Sequence, residues 1–427
     1  MKMKTVKKAH IILASVLVLS MIAAADAVAA PAKGKVTLTF WNGFTSTDGD
    51  ALKKLVNKFN SDNAGKIEIK MDIMQWDQLY LKLPPAIATG TAPSFVLMSP
   101  GNGLNYVKNK TLRDLGDFFS ATGMDKSDFT DASLQFGQIN GVQYLLPMNN
   151  YGICFYWNKD LFKEAGLDPE SPPATLEQAA EYAVKLTDHS KKQYGWALPN
   201  KIGPAFYAIL MRANGGRAVD MKAKKSVLNS PENLKTFNMI RDLTYAKRVS
   251  PQGATGPDLD TMMTSGKIGM FLNGPWLIPG LKQNKINFGI AAPPKGTAGQ
   301  NTILDGTYFA IPTTTKDPEA IKAIYEFIKY WNSPEVSVEW SLAAGFPPYL
   351  KSVAKDSRIL ADTTLKAMVS MNDMMAPWNF GLNSAGTIDN DILWPMVESL
   401  QNGADTAQAL AKASKDIDKA LRKQDAK

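Results

Sequence analysis

The stretch that most constrains this chain is GVQYLLPMNNYGICFYWNKDLFKEAGLDP, residues 141–169. It is preceded by Asn140, so an Asn-Gly pair stands between apolar runs, the pair that a tight β-hairpin turn favours. A long extended segment follows, interrupted only at Pro147 and Gly152. Ile153, Phe155 and Trp157 fall on one face of it, Cys154 and Tyr156 on the other, which reads as a buried strand. Asn158-Lys159-Asp160 then opens a short helix, LFKEAG, which Gly166 closes. A buried strand that runs straight into a helix belongs in a layered α/β core.

The chain has 427 residues, too many for one core, so two domains or lobes are expected. Its amino terminus is set apart from the rest. Lys2, Lys4, Lys7 and Lys8 precede an apolar run from Ile11 to Ala25, and Ala27-Val28-Ala29 is a small-residue cleavage pattern. This is the form of a secretory signal peptide, and the run is short for a permanent membrane span. Cleavage before Ala30 removes four lysines and Asp26, which lowers the formal charge from +8 to +5. Without a dense basic block, that charge does not point to nucleic acid.

Cys154 is the one cysteine, so no intrachain disulfide forms, and no cysteine ends the leader to carry a lipid anchor. The exported protein is expected to be soluble, in the periplasm or outside a cell that lacks an outer membrane. Of two histidines, His10 leaves with the leader and His189 sits in the polar run TDHSKK. One histidine supports neither a His-rich zinc site nor a buried Ser-His-Asp triad, and no metal or cofactor is expected. A pair of carboxylates, as in glycosidases, remains chemically open.

Val36 to Phe40 alternates and is β-branched, so it reads as a strand, with Trp41-Asn42-Gly43-Phe44 at its carboxyl end. A helix follows, with Leu52, Leu55, Val56 and Phe59 on one stripe and Asp48 to Asp50 as cap candidates. Ile67 to Ile73 is a second strand, ending at Gln75-Trp76-Asp77-Gln78. A helix over 79–89, interrupted near Pro84-Pro85, leads to a third strand, 94–98, and to Ser99-Pro100-Gly101-Asn102-Gly103. Strand and helix in alternation imply a mostly parallel sheet, whose ligands bind beyond the strands' carboxyl ends. Gly101-x-Gly103 lacks the third glycine of a dinucleotide fingerprint.

Further on, Thr175-Leu-Glu-Gln178 is a capping-box pattern that opens a helix over 176–186. Residues 194–197 read as a short strand, and 205–213 and 231–247 as helices. The run MMTSGKIGMFLNGPW, residues 262–276, is a helix end, a strand and a Gly-Pro-Trp turn. Phe288-Gly-Ile-Ala-Ala-Pro-Pro and Asp305-Gly-Thr-Tyr-Phe-Ala-Ile-Pro312 are two more strands. The helix over 318–331 carries Ile321, Ile324, Ile328 and Trp331 on one face. Asn332-Ser333-Pro334-Glu335 and Gly345-Phe346-Pro347-Pro348 follow it.

These motifs, in this order and over nearly all of the chain beyond the leader, resemble the extracellular solute-binding proteins of sugar-type ABC importers, the maltose-binding-protein-like family. The carrying residues are Gly141-x-x-Tyr144-x-x-Pro147, Tyr156-Trp157-Asn158-Lys159-Asp160-Leu161-Phe162, Ala165-Gly166-Leu167-Asp168-Pro169, Gly266-Lys267-x-Gly269-Met270, Gly274-Pro275-Trp276 and the two strands after it. The resemblance implies a periplasmic-binding-protein-like fold: two α/β lobes joined by a hinge of several crossings, with the ligand cleft between them. The first crossing falls near Asn149 to Gly152, the second near Leu304 to Tyr308, the third near Gly345 to Pro348. Lobe 1 would comprise 30–148 plus 309–345, and lobe 2 149–308 plus 346–427.

It also implies a function without bond cleavage. A solute enters the cleft, the lobes close, and the closed monomer is presented to membrane permease subunits. Aromatic rings at strand ends favour a sugar or oligosaccharide, because pyranoses have apolar C–H faces and polar edges. The ligand candidates are Trp41, Asn42, Trp76, Asp77 and Ser99 in the first lobe. Asn150 and Tyr151 stand at the first crossing, Asn273, Gly274 and Trp276 in the second lobe, Asp305, Gly306 and Tyr308 on the second crossing, and Phe346 on the third. Trp378-Asn379 lies in the irregular run APWNFG. Trp196, Trp331, Trp340 and Trp394 are expected to pack. A glycerophosphate-type solute is the alternative within the fold. Relatives of that kind carry a His after the first Trp and paired tryptophans where residues 200–204 lie, and this chain has Asn42 and no such pair. A secreted carbohydrate-active enzyme is the alternative outside it, and an adhesive surface protein fits poorly with the lack of repeats.

Overall fold

β-Branched and aromatic residues build the first sheet in alternation. A computed structural model describes residues 34–424 except 46, 201–204, 372–373 and 379–380, so the leader lies outside the described residues. Strand β1 (Val36–Asn42) leads through α1 (Thr47–Asp62) to β2 (Ile67–Ile73), then through α2 (Trp76–Ala88) to β3 (Phe95–Met98) and α3 (Pro100–Lys108). β1 pairs in parallel with both β2 and β3. The expected strand thus runs on to include Trp41 and Asn42. The α1 stripe of Leu52, Leu55, Val56 and Phe59 is buried, as its spacing requires. α2 runs unbroken through Pro84 and Pro85, where a break was expected. The prolines deprive the Tyr80 and Leu81 carbonyls of amide donors, and exposed Leu81 leaves that side of the helix open to water.

Asn140 and Gly141 both have positive φ, 54° and 80°, between the paired strands Gln138–Ile139 and Val142–Gln143. The hairpin turn is therefore of the expected primed kind. β4 (Leu146–Gly152) continues through Ile153 into β5 (Cys154–Asn158), and with that step the chain leaves the first sheet for the second. The second sheet adds β6 (Tyr194–Ala197), reaches α4 (Ala205–Ala213), α5 (Pro231–Arg241) and α6 (Gly256–Thr264), and is completed by β7 (Ile268–Asn273) and β8 (Phe288–Ala291). Its strand order is β8-β5-β7-β6. The expected helix over 231–247 is α-helical only to Arg241; residues 242–246 widen to a π-turn.

β9 (Thr302–Ala310) returns to the first sheet and pairs antiparallel with β4, from Leu304↔Gly152 to Phe309↔Leu146. Its other edge pairs with β3 at residues 308–310. After α7 (Pro318–Trp331) and α8 (Pro334–Ala344), β10 (Met375–Pro377) pairs in parallel with β9, so part of the run expected to be irregular is a short strand. The order is β10-β9-β3-β1-β2, with β4 joined along β9. α9 (Thr406–Gln424) closes the chain against the second lobe through Leu410, Ile417 and Leu421.

Each sheet is covered on both faces. Phe40, Phe95, Phe309, Phe327 and Trp331 fill one side of the first, and Leu79, Val96, Met98 and Tyr308 the other. In the second, Ile153, Phe155 and Trp157 enter one core while Cys154 and Tyr156 enter the opposite one. That is the two-faced split read from residues 153–157. Tyr151 and Trp276 border the principal cores of both lobes. Among the described residues no helix is long and apolar enough to cross a membrane.

Candidate functional site

The site grows from the ends of strands. At the end of β1, the Asn42 side chain turns inward, fully buried, and its Oδ1 accepts from the Phe44 amide at 3.1 Å. This small ring of bonds sets the turn through Gly43. The Trp76 indole lies on Gly43 so closely that a Cβ there would stand 2.0 Å from its ring. Only glycine permits that approach. Trp41 is half-buried and packs, like Trp76 and Tyr80, against the core on that face of the sheet, and its Nε1 donates to Asp72 Oδ2 at 3.1 Å.

From Trp76 a row of rings crosses from one lobe to the other. Trp76 meets Phe44 edge-on at 5.6 Å, Phe44 meets Phe346 at 6.2 Å, Phe346 meets Tyr151 at 5.6 Å, and Tyr151 meets Trp276 at 5.3 Å and 86°. Trp340 stacks on Phe346 behind the row at 5.4 Å. Phe346 and Trp340 are buried, whereas Trp76, Tyr151 and Trp276 keep part of their surface open. Three of the four contacts are edge-to-face and the Phe346–Tyr151 contact is tilted at 58°, so the rings interlock into a continuous wall.

Asp305 and Tyr151 are cross-strand partners in the β4–β9 ladder. The Tyr151 hydroxyl reaches the Asp305 carboxylate, and Asp305 Oδ1 also accepts from the Gly306 amide at 2.8 Å. Asp305 retains some solvent-facing surface but is densely surrounded by protein. Burial pushes its carboxyl up to about 6, against these two hydrogen bonds, which pull it down. Burial, then the charge of Asp305, raise Tyr151 well above the ordinary tyrosine value. Tyr80 lies within the same field, and its hydroxyl accepts from the Ser99 amide at 3.0 Å while Ser99 Oγ accepts from Asn102 at 2.9 Å. Tyr151, Asp305, Tyr80 and Ser99 therefore form one polar cluster beside the aromatic row.

The second lobe presents Trp276 on a braced turn. Asn273 is fully buried; its Nδ2 donates to Asp260 Oδ1 at 2.5 Å and its Oδ1 accepts from the Gly274 amide at 2.8 Å. The Tyr156 hydroxyl donates to the Gly274 carbonyl at 2.9 Å. Trp276 folds back over Gly274, where a Cβ would stand 1.9 Å from the indole. Burial pushes Asp260 up to about 6, and the Asn273 bond pulls it partway back.

The structure thus brings Trp76, Ser99, Tyr151, Gly274, Trp276, Asp305 and Phe346 to one region, with Trp41 at its edge. Asn42, Asn273 and Tyr308 have no exposed surface and support it from within. Tyr308 donates to the Ser133 carbonyl and Gly306 lets β4 and β9 approach closely. Asn150 projects from the opposite face of β4 to Tyr151 and binds Tyr308. Trp378 packs against the same second-lobe core as Tyr151 and Trp276, its Nε1 donating to Asp389 at 3.1 Å and its ring under the Arg212 guanidinium at 5.5 Å. The Asp77 side chain and Asn379 lie outside the described residues.

A second region escaped the reading by motif. From Ser99, α3 runs for nine residues, roughly 13 Å at about 1.5 Å per residue. Its far end lines a trough of about 590 Å³ whose other wall belongs to the second lobe. Asn105 and Lys108 face Asn383, Thr387, Asn390 and Gln424 across it. Gln424 steadies that wall by donating to Thr387 Oγ1 and accepting from Asn383 Nδ2. Residues 387–393 are wound as a π-helix, a form often found at functional sites. The run LNSAGTIDND reads as a polar loop, and no spacing within it announces a cleft wall.

Comparison with known proteins agrees with this geometry. The chain is 25% identical over 413 residues to the sn-glycerol-3-phosphate-binding periplasmic protein of Escherichia coli K12, covering 88% of this chain and 92% of that one. Its fold superposes with a TM-score of 0.82 on an ABC transporter solute-binding protein of Thermotoga lettingae bound with alpha-D-tagatose, at 22% identity, over 91% of this chain and all of that one. UgpB of Mycobacterium tuberculosis in complex with glycerophosphocholine gives 0.81 at 19% identity, over 91% and 99%. The family model for bacterial extracellular solute-binding proteins matches residues 54–367. With that match spanning most of the chain and the two-lobed α/β fold around it, this protein belongs to the bacterial extracellular solute-binding protein family.

Proposed function

We propose that this protein captures a neutral sugar or short oligosaccharide between its lobes and delivers it to the permease of an ABC importer. The observation that carries the reading is the row of rings from Trp76 to Trp276, with the Asp305–Tyr151 pair beside it. Rings cover the C–H faces of a pyranose, and a carboxylate accepts from its hydroxyls. Trp41, Trp76, Tyr151 and Trp276 would supply ring surface, and Asp305 and Ser99 hydrogen bonds. Asn42, Asn273, Gly274, Gly306, Tyr308 and Phe346 would hold the walls. The amide-rich trough at the far end of α3 favours a ligand of more than one sugar unit, because amides pair with hydroxyls in either sense.

The lobes would comprise 30–148 plus 309–345 and 149–308 plus 346–427, with ligand binding drawing them together about the crossings. The protein would act as a monomer, without catalysis, and in the periplasm or outside the cell after loss of residues 1–29.

A second reading, a glycerophosphate-type ligand, draws on the Escherichia coli relative. Asp305 opposes it, since a carboxylate beside the ligand repels a phosphodiester. Calorimetric titration with maltose, maltotriose, tagatose, sn-glycerol 3-phosphate and glycerophosphocholine tests both. Saturable heat with a sugar alone supports the proposal. Binding confined to the phosphate compounds overturns it in favour of the second reading.

A further inference from the structure

The fold gathers on one side of the second lobe charge that the sequence spreads over two distant segments. α9 carries Lys412, Lys415, Lys419 and Arg422 at successive spacings of three, four and three residues, with Lys423 beside them, and all five are exposed. They face away from Leu410, Ala413, Ile417 and Leu421, which bury the opposite side of the helix. Alongside lies a hairpin whose short strands, Val219–Asp220 and Lys225–Ser226, pair antiparallel. The Ser226 amide ties it to α9 by donating to Asp418 Oδ1 at 2.7 Å, and the Ser226 and Ser414 hydroxyls lie 2.9 Å apart. Arg217, Lys222, Lys224 and Lys225 are exposed on this hairpin and its approach.

Residues 217–227 and 412–423 hold nine cations and three acids, a net of +6. The whole chain beyond residue 29 is +5, so everything else sums to −1. The three acids are occupied within the fold. Asp220 Oδ1 accepts from the Lys222 and Ala223 amides, both at 2.9 Å, Asp418 holds Ser226, and Asp416 pairs with Lys412 at 2.7 Å. Lys415, Lys419, Arg422 and Lys423 have no ion pair among the described residues. At the hairpin's turn Met221 is 44% exposed, and Val227, just past its second strand, is 38% exposed.

We propose that this face docks the protein on an anionic phospholipid surface, with the cations at headgroup phosphates and Met221 and Val227 at the headgroup–acyl boundary. Long, unpaired, flexible cations suit a fluid layer of phosphates. A protein partner is met instead by aromatic anchors, and these two segments contain no aromatic residue. The chain's extracellular family makes a membrane surface available to it. α9 ends at Gln424 in the trough wall, roughly 8 Å of helix beyond Lys419 at about 1.5 Å per residue, so docking sets the interlobe opening close to the membrane. Docking through this face is independent of which solute the cleft binds.

Cosedimentation of the exported chain with vesicles of mixed phosphatidylethanolamine and phosphatidylglycerol, and with vesicles of phosphatidylcholine alone, tests this. Binding should be saturable, at least about tenfold tighter to the anionic vesicles, and weaker as salt is raised. Lys415→Glu, Lys419→Glu and Arg422→Glu together should weaken it at least about fiftyfold, since each cation lost reduces affinity roughly fivefold. A control with the same net charge, Lys53→Glu, Lys66→Glu and Lys316→Glu, changes exposed residues of the first lobe and should lose less than about fivefold. Lys222→Glu with Lys225→Glu, on the hairpin, should weaken binding at least about tenfold and keeps the test intact if the α9 variant does not fold. None of these residues touches the rings or Asp305, so solute titration of the folded variants should match the native chain whatever the vesicles show. No preference for the anionic vesicles, equal losses in the α9 and control variants, or binding of a DNA duplex without binding of vesicles overturns the proposal.

Discussion

Asp305 is the residue whose replacement separates binding from support most cleanly. Its carboxyl is raised from 3.8 to about 6, first by burial, with the Gly306 and Tyr151 hydrogen bonds acting the other way. The folded protein therefore holds a proton, between these two values, that the unfolded chain has lost. Stability from this group is present at low pH and is lost as pH rises through about 6. At neutral pH the ionised group costs at most roughly 3 kcal/mol, at about 1.4 kcal/mol per unit, and its residual exposure reduces this to about 1–2 kcal/mol. Asp305→Asn keeps the shape and removes the charge. It should raise the thermal midpoint at pH 7.5, by about 2–4 °C per kcal/mol gained, and flatten the part of the stability–pH curve that Asp260 does not supply. Ligand affinity should move the opposite way. A carboxylate that accepts ligand hydroxyls contributes about 1.5–3 kcal/mol as a charged acceptor, so Asp305→Asn should weaken the sugar about ten- to a hundredfold. In the native chain affinity should also fall as pH drops through 6. Scanning fluorimetry and calorimetric titration from pH 5 to 8 read both curves. A destabilised Asn variant with unchanged affinity would refute the reasoning and make Asp305 a structural carboxylate.

Trp276→Ala should weaken the sugar at least about tenfold while keeping a cooperative transition, whereas Trp331→Ala should cost about 3–5 kcal/mol of stability with affinity per folded molecule unchanged; titration and denaturant unfolding of the two variants decide it. Gly43→Ala should push the Trp76 indole from its seat, lowering affinity several-fold with retained secondary structure; equal affinity would show that Trp76 does not touch ligand. Saturating sugar should reduce the radius of gyration in solution scattering, and an unchanged value would remove the hinge motion. Mass spectrometry of exported protein should find a chain that starts at or near Ala30 and carries no lipid, and an intact Met1 in the culture fluid or periplasm would count against processing.

Patterns that local chemistry enforces were legible in the sequence. The two-faced strand at 153–157, the Asn140-Gly141 turn and the α7 stripe ending in Trp331 all follow from periodicity, and the structure keeps them. The Gly-Pro-Trp turn and the Asp-Gly of β9 lie together in the region proposed here as the cleft. What the sequence hid was direction. Asn42 and Asn273 stand at strand ends like ligand groups, yet the Phe44 and Gly274 backbone amides claim their side-chain oxygens. Phe346 faces the row of rings but is spent on packing. The trough amides come from segments more than 270 residues apart, Asn105 to Asn383, and only the fold brings them together.

The pairing of β9 between β4 and β3 also decides when the first lobe can be finished. β1, β2 and β3 are made by residue 98, but the strand that covers β3 spans residues 302–310, after the whole second sheet. Until then β3 offers an unpaired edge, so the lobe that comes first in the sequence cannot close before the strands of the second sheet have been made. Contacts across such separations are slow to form, because loop closure comes before its reward. A chain threaded through a membrane pore from its amino end gains from that delay, since a lobe that snapped shut early would stall in transit. The same interleaving that links the lobes postpones their folding until most of the chain has emerged.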